Sequence, residues 1–151
     1  MEIIKHKQLE EALSHEYRQY LTGHLGRPQP YLQHIDDDTE IGMSYYSEFT
    51  ADTPHVHPIC TEYTYILEGS VRIRLLETGE ELELNKGDFS LLRPNTPYAS
   101  KNAADTRVLF IKVPGINDKT LVTPDDGTKR WLQSWDVADE CQVNEEYPVD
   151  A

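Results

Sequence analysis

Residues 55–69 of the chain read HVHPICTEYTYILEG. His55 and His57 are two positions apart, so their side chains leave the same face of any strand that they occupy. Glu62 follows at the start of the next apolar segment, and Gly69 ends that segment. Two imidazoles and one carboxylate are the donors of a divalent-metal site that keeps open coordination positions. We therefore predict a metal site made by His55, His57 and Glu62.

Short segments separated by turn residues surround this stretch. Clusters of Asp, Asn, Gly or Pro bound each segment, and no helical pattern lies between them. Strands at such close and regular spacing indicate an antiparallel sandwich or barrel. The predicted strands are residues 31–35, 41–50, 54–58, 62–68, 70–76, 80–84, 88–93, 97–101 and 106–113.

The two ends of the chain lie outside this strand region. Residues 5–23 carry apolar side chains at every fourth position and predict an amphipathic helix, with Gly23 as its stop. Near the other end, Trp131 and Trp135 are four residues apart and predict one face of a short helix packed on the barrel exterior. We expect one domain, with a helix and connector at 1–30, the barrel at 31–114 and a C-terminal extension at 115–151.

The composition indicates which binding partners and which cellular compartment to expect. The chain has 151 residues, the size of one ordinary domain. It carries 27 acidic against 14 basic residues, a net charge of -13, which disfavours nucleic acids and anionic membranes. Two distant cysteines, no secretory leader pattern and no long apolar stretch predict a cytoplasmic protein with neither a disulfide framework nor a membrane span.

Residues 54–102 resemble the cupin superfamily, whose fold is a double-sheet jelly-roll barrel. The first cupin motif is present at the four positions His55, His57, Glu62 and Gly69. The second motif is modified: residues 87–98 read GDFSLLRPNTPY, and Asn102 follows. In the family, the position of Tyr98 usually carries a third histidine ligand. The resemblance implies an all-β, double-stranded β-helix fold with a metal held by the first motif.

Tyr98 is the departure from the family pattern, and it permits three interpretations. As a phenolate it would ligate the metal, which would first have to remove a proton from a group with a pKa near 10. As a phenol it would donate a hydrogen bond or a proton to a substrate or to metal-bound water. Alternatively, it only fills space at a site that has lost one protein ligand. We favour the second interpretation.

Strand parity suggests which other side chains line the pocket. If Glu62 points inward, Thr64 and Ile66 do so too. On the preceding strand either Tyr45 or Tyr46 lines the wall, and parity does not choose between them; we take Tyr45 as the pocket residue. Cys60, within the same loop, is a soft metal ligand, a reactive thiol or a small buried residue.

Several functions are compatible with such a site, because the cupin family includes dioxygenases, isomerases, epimerases, lyases, decarboxylases and binding modules. We expect one divalent metal, with Fe(II) favoured over Mn, Ni or Zn, and a small-molecule substrate. Oxygen-dependent oxidation of the dioxygenase type is the first hypothesis. The alternatives are a metal-dependent isomerase, epimerase or lyase acting on a sugar or keto acid, and a non-catalytic ligand-binding protein. The amphipathic helix and an outward face carrying Arg72 and Arg74 predict a homodimer, in keeping with the family.

Overall fold

The computed structural model describes residues 1–25, 29–31 and 35–136. Two five-stranded antiparallel sheets form a jelly-roll barrel, which confirms the predicted all-β fold class. In chain order the elements are α1 (His6–His15), β1 (Arg18–Thr22), β2 (Glu40–Tyr46), β3 (Thr50–Val56), β4 (Thr61–Glu68), β5 (Ser70–Leu75), β6 (Glu81–Asn85), β7 (Phe89–Leu92), β8 (Tyr98–Asn102), β9 (Thr106–Val113), β10 (Thr120–Leu121) and α2 (Asp126–Trp131).

The two sheets enclose the hydrophobic core. One has the strand order β1-β2-β9-β4-β7, and the other has the order β10-β3-β8-β5-β6. Inward side chains of both sheets form one buried cluster: Tyr46, Ile66, Val71, Ile73, Tyr98 and Val108. Residues 32–34 of the predicted strand 31–35 lie outside the described residues. So do residues 137–151 of the C-terminal extension.

A tight corner between β4 and β5 explains the glycine of the first motif. Gly69 has a φ of 78°, in the left-handed region that favours glycine. A Cβ at this position would also collide with Thr106 on β9. Any other residue would therefore have to push β4 and β9 apart.

The helix predicted for residues 5–23 is wrong in its second half. Helix α1 ends at His15, and residues 18–22 form β1 on the outer edge of β2, with Arg18 opposite Ser44. Pairing with β2 satisfies backbone groups that a helix would satisfy locally, so a tertiary contact overrides the local pattern. The apolar side of α1 packs within the subunit, where Ala12 and Leu13 are buried. No helix in the described ranges is long and apolar enough to cross a membrane.

The C-terminal segment covers the face on which Arg72 and Arg74 lie. Helix α2 starts after Asp125, whose side chain accepts from the backbone N–H of Thr128, and ends at Trp131, so Trp135 lies beyond the helix. Arg72 donates to the carbonyl oxygen of Trp135 at 2.6 Å, and its guanidinium lies 4.2 Å from the centre of that indole ring. Arg72 and Arg74 point away from the core as expected, but this chain's own C-terminal segment packs on their face of the sheet.

Candidate metal centre

The two histidines reach one end of the barrel from β3. His55 lies in the strand, His57 directly follows it, and both are buried. The Nδ1 of His55 lies 2.7 Å from the carbonyl oxygen of Thr53, and the Nδ1 of His57 lies 2.7 Å from a carboxylate oxygen of Asp118. Because these oxygens only accept, each Nδ1 carries a proton, and Nε2 of His57, which faces a carboxylate oxygen of Glu62 at 3.2 Å, carries a second one. The Nε2 atom of each imidazole thereby faces the cavity, and a metal ion bound there would displace the proton that His57 shares with Glu62.

Glu62 meets the histidines from β4 of the opposite sheet. Its Oε2 lies 3.2 Å from Nε2 of His57, and the ligand atoms of the three side chains all lie within 4.8 Å of one another. Burial alone would raise the pKa of Glu62, but the hydrogen bond and charge of His57 outweigh burial and lower it. An ionised carboxylate and two imidazole Nε2 atoms thus converge, and this donor set fits a divalent metal ion.

Asp118 holds the loop from His57 to Cys60 together, and no motif in the sequence marks it as a site residue. Its Oδ1 accepts from His57, and its Oδ2 accepts from the backbone N–H groups of Ile59 and Cys60 at 2.9 and 2.8 Å. Burial opposes its charge, yet these hydrogen bonds hold the pKa of Asp118 well below its usual range. A carboxylate on the outer nitrogen of a ligand histidine fixes the ring and its tautomer. No spacing in the sequence links Asp118 to His57.

Tyr98 lies on β8, beside His55 and above Glu62. Its ring centre is 4.6 Å from that of His55, and its hydroxyl donates to Oε2 of Glu62 at 3.2 Å. Burial, together with the negative charges of Glu62 and Asp52, raises the pKa of Tyr98 well above its ordinary value. The phenol therefore keeps its proton beside the carboxylate of Glu62. The hydroxyl thus donates to a predicted metal ligand, and the role of Tyr98 toward a substrate or the metal stays a prediction.

A polar cavity of about 280 Å³ opens above the three side chains. A smaller space of about 60 Å³ continues below it between the sheets, and Thr64 lines this deeper part. The larger cavity is also lined by five charged side chains that the sequence did not mark as site residues: Arg18, Glu40, Asp52, Lys112 and Lys119. Arg18 does not stand out in the sequence because the apolar pattern of residues 5–23 predicts a helix where the structure has β1. The others have no local motif that marks them as site residues.

Three predicted pocket residues lie away from the cavity. Ile66 is fully buried in the core, one inward position below Thr64. Tyr45 faces outward and donates to Asp105 at 2.9 Å, because Tyr46 takes the inward position on β2. Cys60 is buried beside Asp118 and donates its thiol to the carbonyl oxygen of Pro114 at 3.1 Å. Burial raises the pKa of this thiol to about 12, so Cys60 is neither a reactive thiolate nor part of the ligand cluster.

Comparison with protein families identifies the barrel. Residues 47–114 match the family described as the Cupin domain, and this match covers both halves of the motif pattern. Together with the jelly-roll topology, it identifies residues 47–114 as a cupin domain. A comparison with curated protein sequences finds no match.

Solved structures with the same fold come from several bacteria. TT1209 from Thermus thermophilus is 24% identical, with a TM-score of 0.54, and the match covers 76% of this chain and 98% of that protein. KdgF from Halomonas sp. is 20% identical, with a TM-score of 0.52 and coverage of 67% and 80%. The DMSP lyase DddQ from Ruegeria pomeroyi is 19% identical, with a TM-score of 0.54, and the match spans 72% of this chain but 52% of that protein. At these identities the likeness concerns the fold alone.

Proposed function

We propose that this protein is a metal-dependent enzyme that carries out proton-transfer chemistry, an isomerisation or an elimination, on a small polar molecule. The observation that carries the proposal is the protonated phenol of Tyr98 hydrogen-bonded to Glu62, a predicted metal ligand, beneath a charged cavity. A divalent ion bound there supplies Lewis-acid polarisation of a substrate oxygen. Such chemistry needs groups that hold and move protons, and the cavity is rich in them.

The side chains divide the work as follows. His55, His57 and Glu62 hold the metal, and Asp118 orients His57 through its outer nitrogen. Tyr98 keeps a proton at its hydroxyl oxygen, where it can donate to a substrate oxygen on which negative charge develops. The carboxylates of Glu40 and Asp52 line the same cavity and are candidates for the base.

Oxygen-dependent oxidation is the second candidate. It is favoured by the ligand set itself, because two histidines and one carboxylate suit non-haem Fe(II) and leave positions open for substrate and oxygen. It makes less use of the charged groups around the cavity. We therefore rank it below the proton-transfer chemistry.

A single comparison separates the candidates. The protein is loaded with Zn(II), Mn(II) or Fe(II), and a panel of hydroxy acids, keto acids and sugars is assayed in air and under argon, with His57→Ala as the inactive control. Turnover under argon with Zn(II) or Mn(II) supports the proposal. Turnover that needs both Fe(II) and oxygen supports oxygen-dependent oxidation instead. Full metal occupancy without turnover on any substrate would indicate a ligand-binding protein, and failure to bind metal would overturn both enzymatic candidates.

A further inference from the structure

Arg18 occupies a fixed position in the wall of the cavity. It belongs to β1, which precedes the matched cupin region, and it lines both the larger cavity and the deeper space. Its Nε donates to Ser44 and its Nη2 donates to Tyr46, each at 2.9 Å. Its guanidinium carbon lies 5.3 Å from the ring centre of Phe110. These contacts orient the guanidinium before any ligand arrives.

Unlike three other arginines on the strands, Arg18 has no carboxylate ion-pair partner among the described residues. Arg72, Arg74 and Arg107 each form an ion pair with a glutamate. Arg18 forms none, and its Nη1 donates to no described residue. The negative charge of Asp52 in the same cavity acts on Arg18, but the carboxylate accepts its hydrogen bond from Ser100 and forms no ion pair with Arg18. A partly buried guanidinium with spare donors favours an anionic partner, and carboxylates fit its planar geometry best.

The charges around the cavity lead to the same ligand class. The cavity is lined by three cationic side chains (Arg18, Lys112, Lys119) and three anionic ones (Glu40, Asp52, Glu62). The charges of these six side chains sum to zero. A divalent ion would add two positive charges. Lys112 is already matched by Glu40 at 3.4 Å, which leaves Arg18 as the cation in the wall and Lys119 as an exposed cation at the rim. A negatively charged ligand would offset the excess charge.

We infer that Arg18 binds a carboxylate group of the substrate while another polar group of the same molecule lies at the metal. The substrate class is thus a small carboxylic acid. A cavity of about 280 Å³ suits a small molecule. This inference rests on the proposed function in that it takes the metal site as the reacting end of the cavity.

Binding of a charged probe and its uncharged analogue tests the role of Arg18 without knowledge of the substrate. Succinate and its diamide, succinamide, are titrated by calorimetry into Zn(II)-loaded wild type and Arg18→Met. We expect Arg18→Met to bind succinate at least about tenfold more weakly, whereas succinamide changes less than about threefold. Any affinity of carboxylate for the metal is common to both proteins, so the difference isolates the guanidinium. Arg107→Met, an outer-face arginine paired with Glu10, is the matched control and should bind like wild type.

Separate readouts distinguish failure of this inference from failure of the metal site. Zinc uptake is measured first in every variant, and Arg18→Met should take up zinc like wild type. If Arg18→Met does not fold, Arg18→Lys replaces it, and we expect a severalfold loss for succinate because a lysine lacks the planar fork. Equal succinate affinity in wild type and the Arg18 variant would overturn the inference and leave Arg18 as a link between β1 and β2. If wild type takes up no zinc, the proposed function fails, and succinate binding to the metal-free protein still decides the role of Arg18.

Discussion

His57 is held between two carboxylates, one on each ring nitrogen. Glu62 lies at Nε2 and Asp118 at Nδ1, at 3.2 and 2.7 Å. The inner carboxylate belongs to the predicted ligand set, whereas the outer one fixes the direction in which the ligand nitrogen points. The precision of the site therefore depends on a residue that does not itself belong to the ligand set.

Replacing Asp118 with Asn should weaken metal binding by about tenfold to a hundredfold. The amide keeps the size of the side chain but loses the charge that holds the Nδ1 proton in place. The dissociation constant for Zn(II), measured by competition with a chromophoric chelator, checks this expectation. Asp105→Asn on the outer surface is the control, because Asp105 accepts from Tyr45 and lies away from the cavity. An Asp118→Asn protein with wild-type zinc affinity would show that His57 needs no such support.

Replacing Tyr98 with Phe should weaken zinc binding by about tenfold, the effect of losing a hydrogen bond to a ligand side chain. The reason is that Tyr98 donates to Glu62, and its raised pKa keeps the phenol protonated in the assay range. Loading with Fe(III) gives a second measurement, because a ligated phenolate produces an intense visible absorption band. We expect no such band in wild type. Tyr63→Phe, on the outward face of β4, is the matched control, and a band lost only in Tyr98→Phe would identify Tyr98 as a ligand.

At the scale of elements, two cations attach the C-terminal segment to the barrel. Lys101 on β8 is fully buried, and its ammonium donates to the carbonyl oxygens of Trp131 and Ser134 at 2.8 and 2.9 Å. Arg72 on β5 donates to Trp135 in the same manner. These carbonyls lie at and beyond the end of α2, where the helix dipole is negative and favours cations. The segment is therefore held by hydrogen bonds to its backbone oxygens as well as by the buried side chain of Trp131.

The buried ammonium of Lys101 should make the free energy of unfolding depend on pH in the alkaline range. Burial, together with the nearby Arg72, lowers the pKa of Lys101 from 10.5 to about 8. Between these values the unfolded chain binds the proton and the folded protein does not, so wild-type stability should rise with pH relative to Lys101→Met. We expect a relative gain of about 1–3 kcal/mol across the window, measured by urea unfolding from pH 7 to 10.5. A constant difference between the two proteins would contradict the buried, titrating lysine, and Lys86→Met on the surface serves as the control.

What the sequence revealed depended on the range over which the residues interact. His55, His57 and Glu62 lie within one short stretch, so strand parity and the cupin spacing were enough to predict them as a group. Arg18 was missed because the four-residue spacing of Leu13, Tyr17 and Leu21 continues across the end of α1, and β1 exists only through its pairing with β2. Asp118 was missed because 61 positions separate it from His57. Contacts that the fold creates between distant segments leave no local pattern.

At the scale of the whole molecule, the candidate ligands join the two sheets. His55 and His57 come from β3 and the residue after it, whereas Glu62 comes from β4 in the opposite sheet. The hydrogen bond from Tyr98 on β8 to Glu62 crosses the same gap. The homodimer stays a prediction. The two features on which it rested, α1 and the arginine face, both pack against their own chain.

A metal ion at this position should act as a clamp between the sheets and stabilise the fold. A ligand that binds only the folded state at a hundredfold excess over its Kd stabilises it by about 2.7 kcal/mol. For a domain of this size the melting temperature should rise by about 5–10 °C. Differential scanning calorimetry with Zn(II), followed by excess chelator, measures the rise and its reversal. Glu62→Gln should lose most of it, because an amide oxygen is a weaker ligand, whereas Glu68→Gln at the exposed end of the same strand should keep it. An unchanged melting temperature in wild type at saturating zinc would rule out a clamp, since the three ligand atoms would then hold no ion between the sheets.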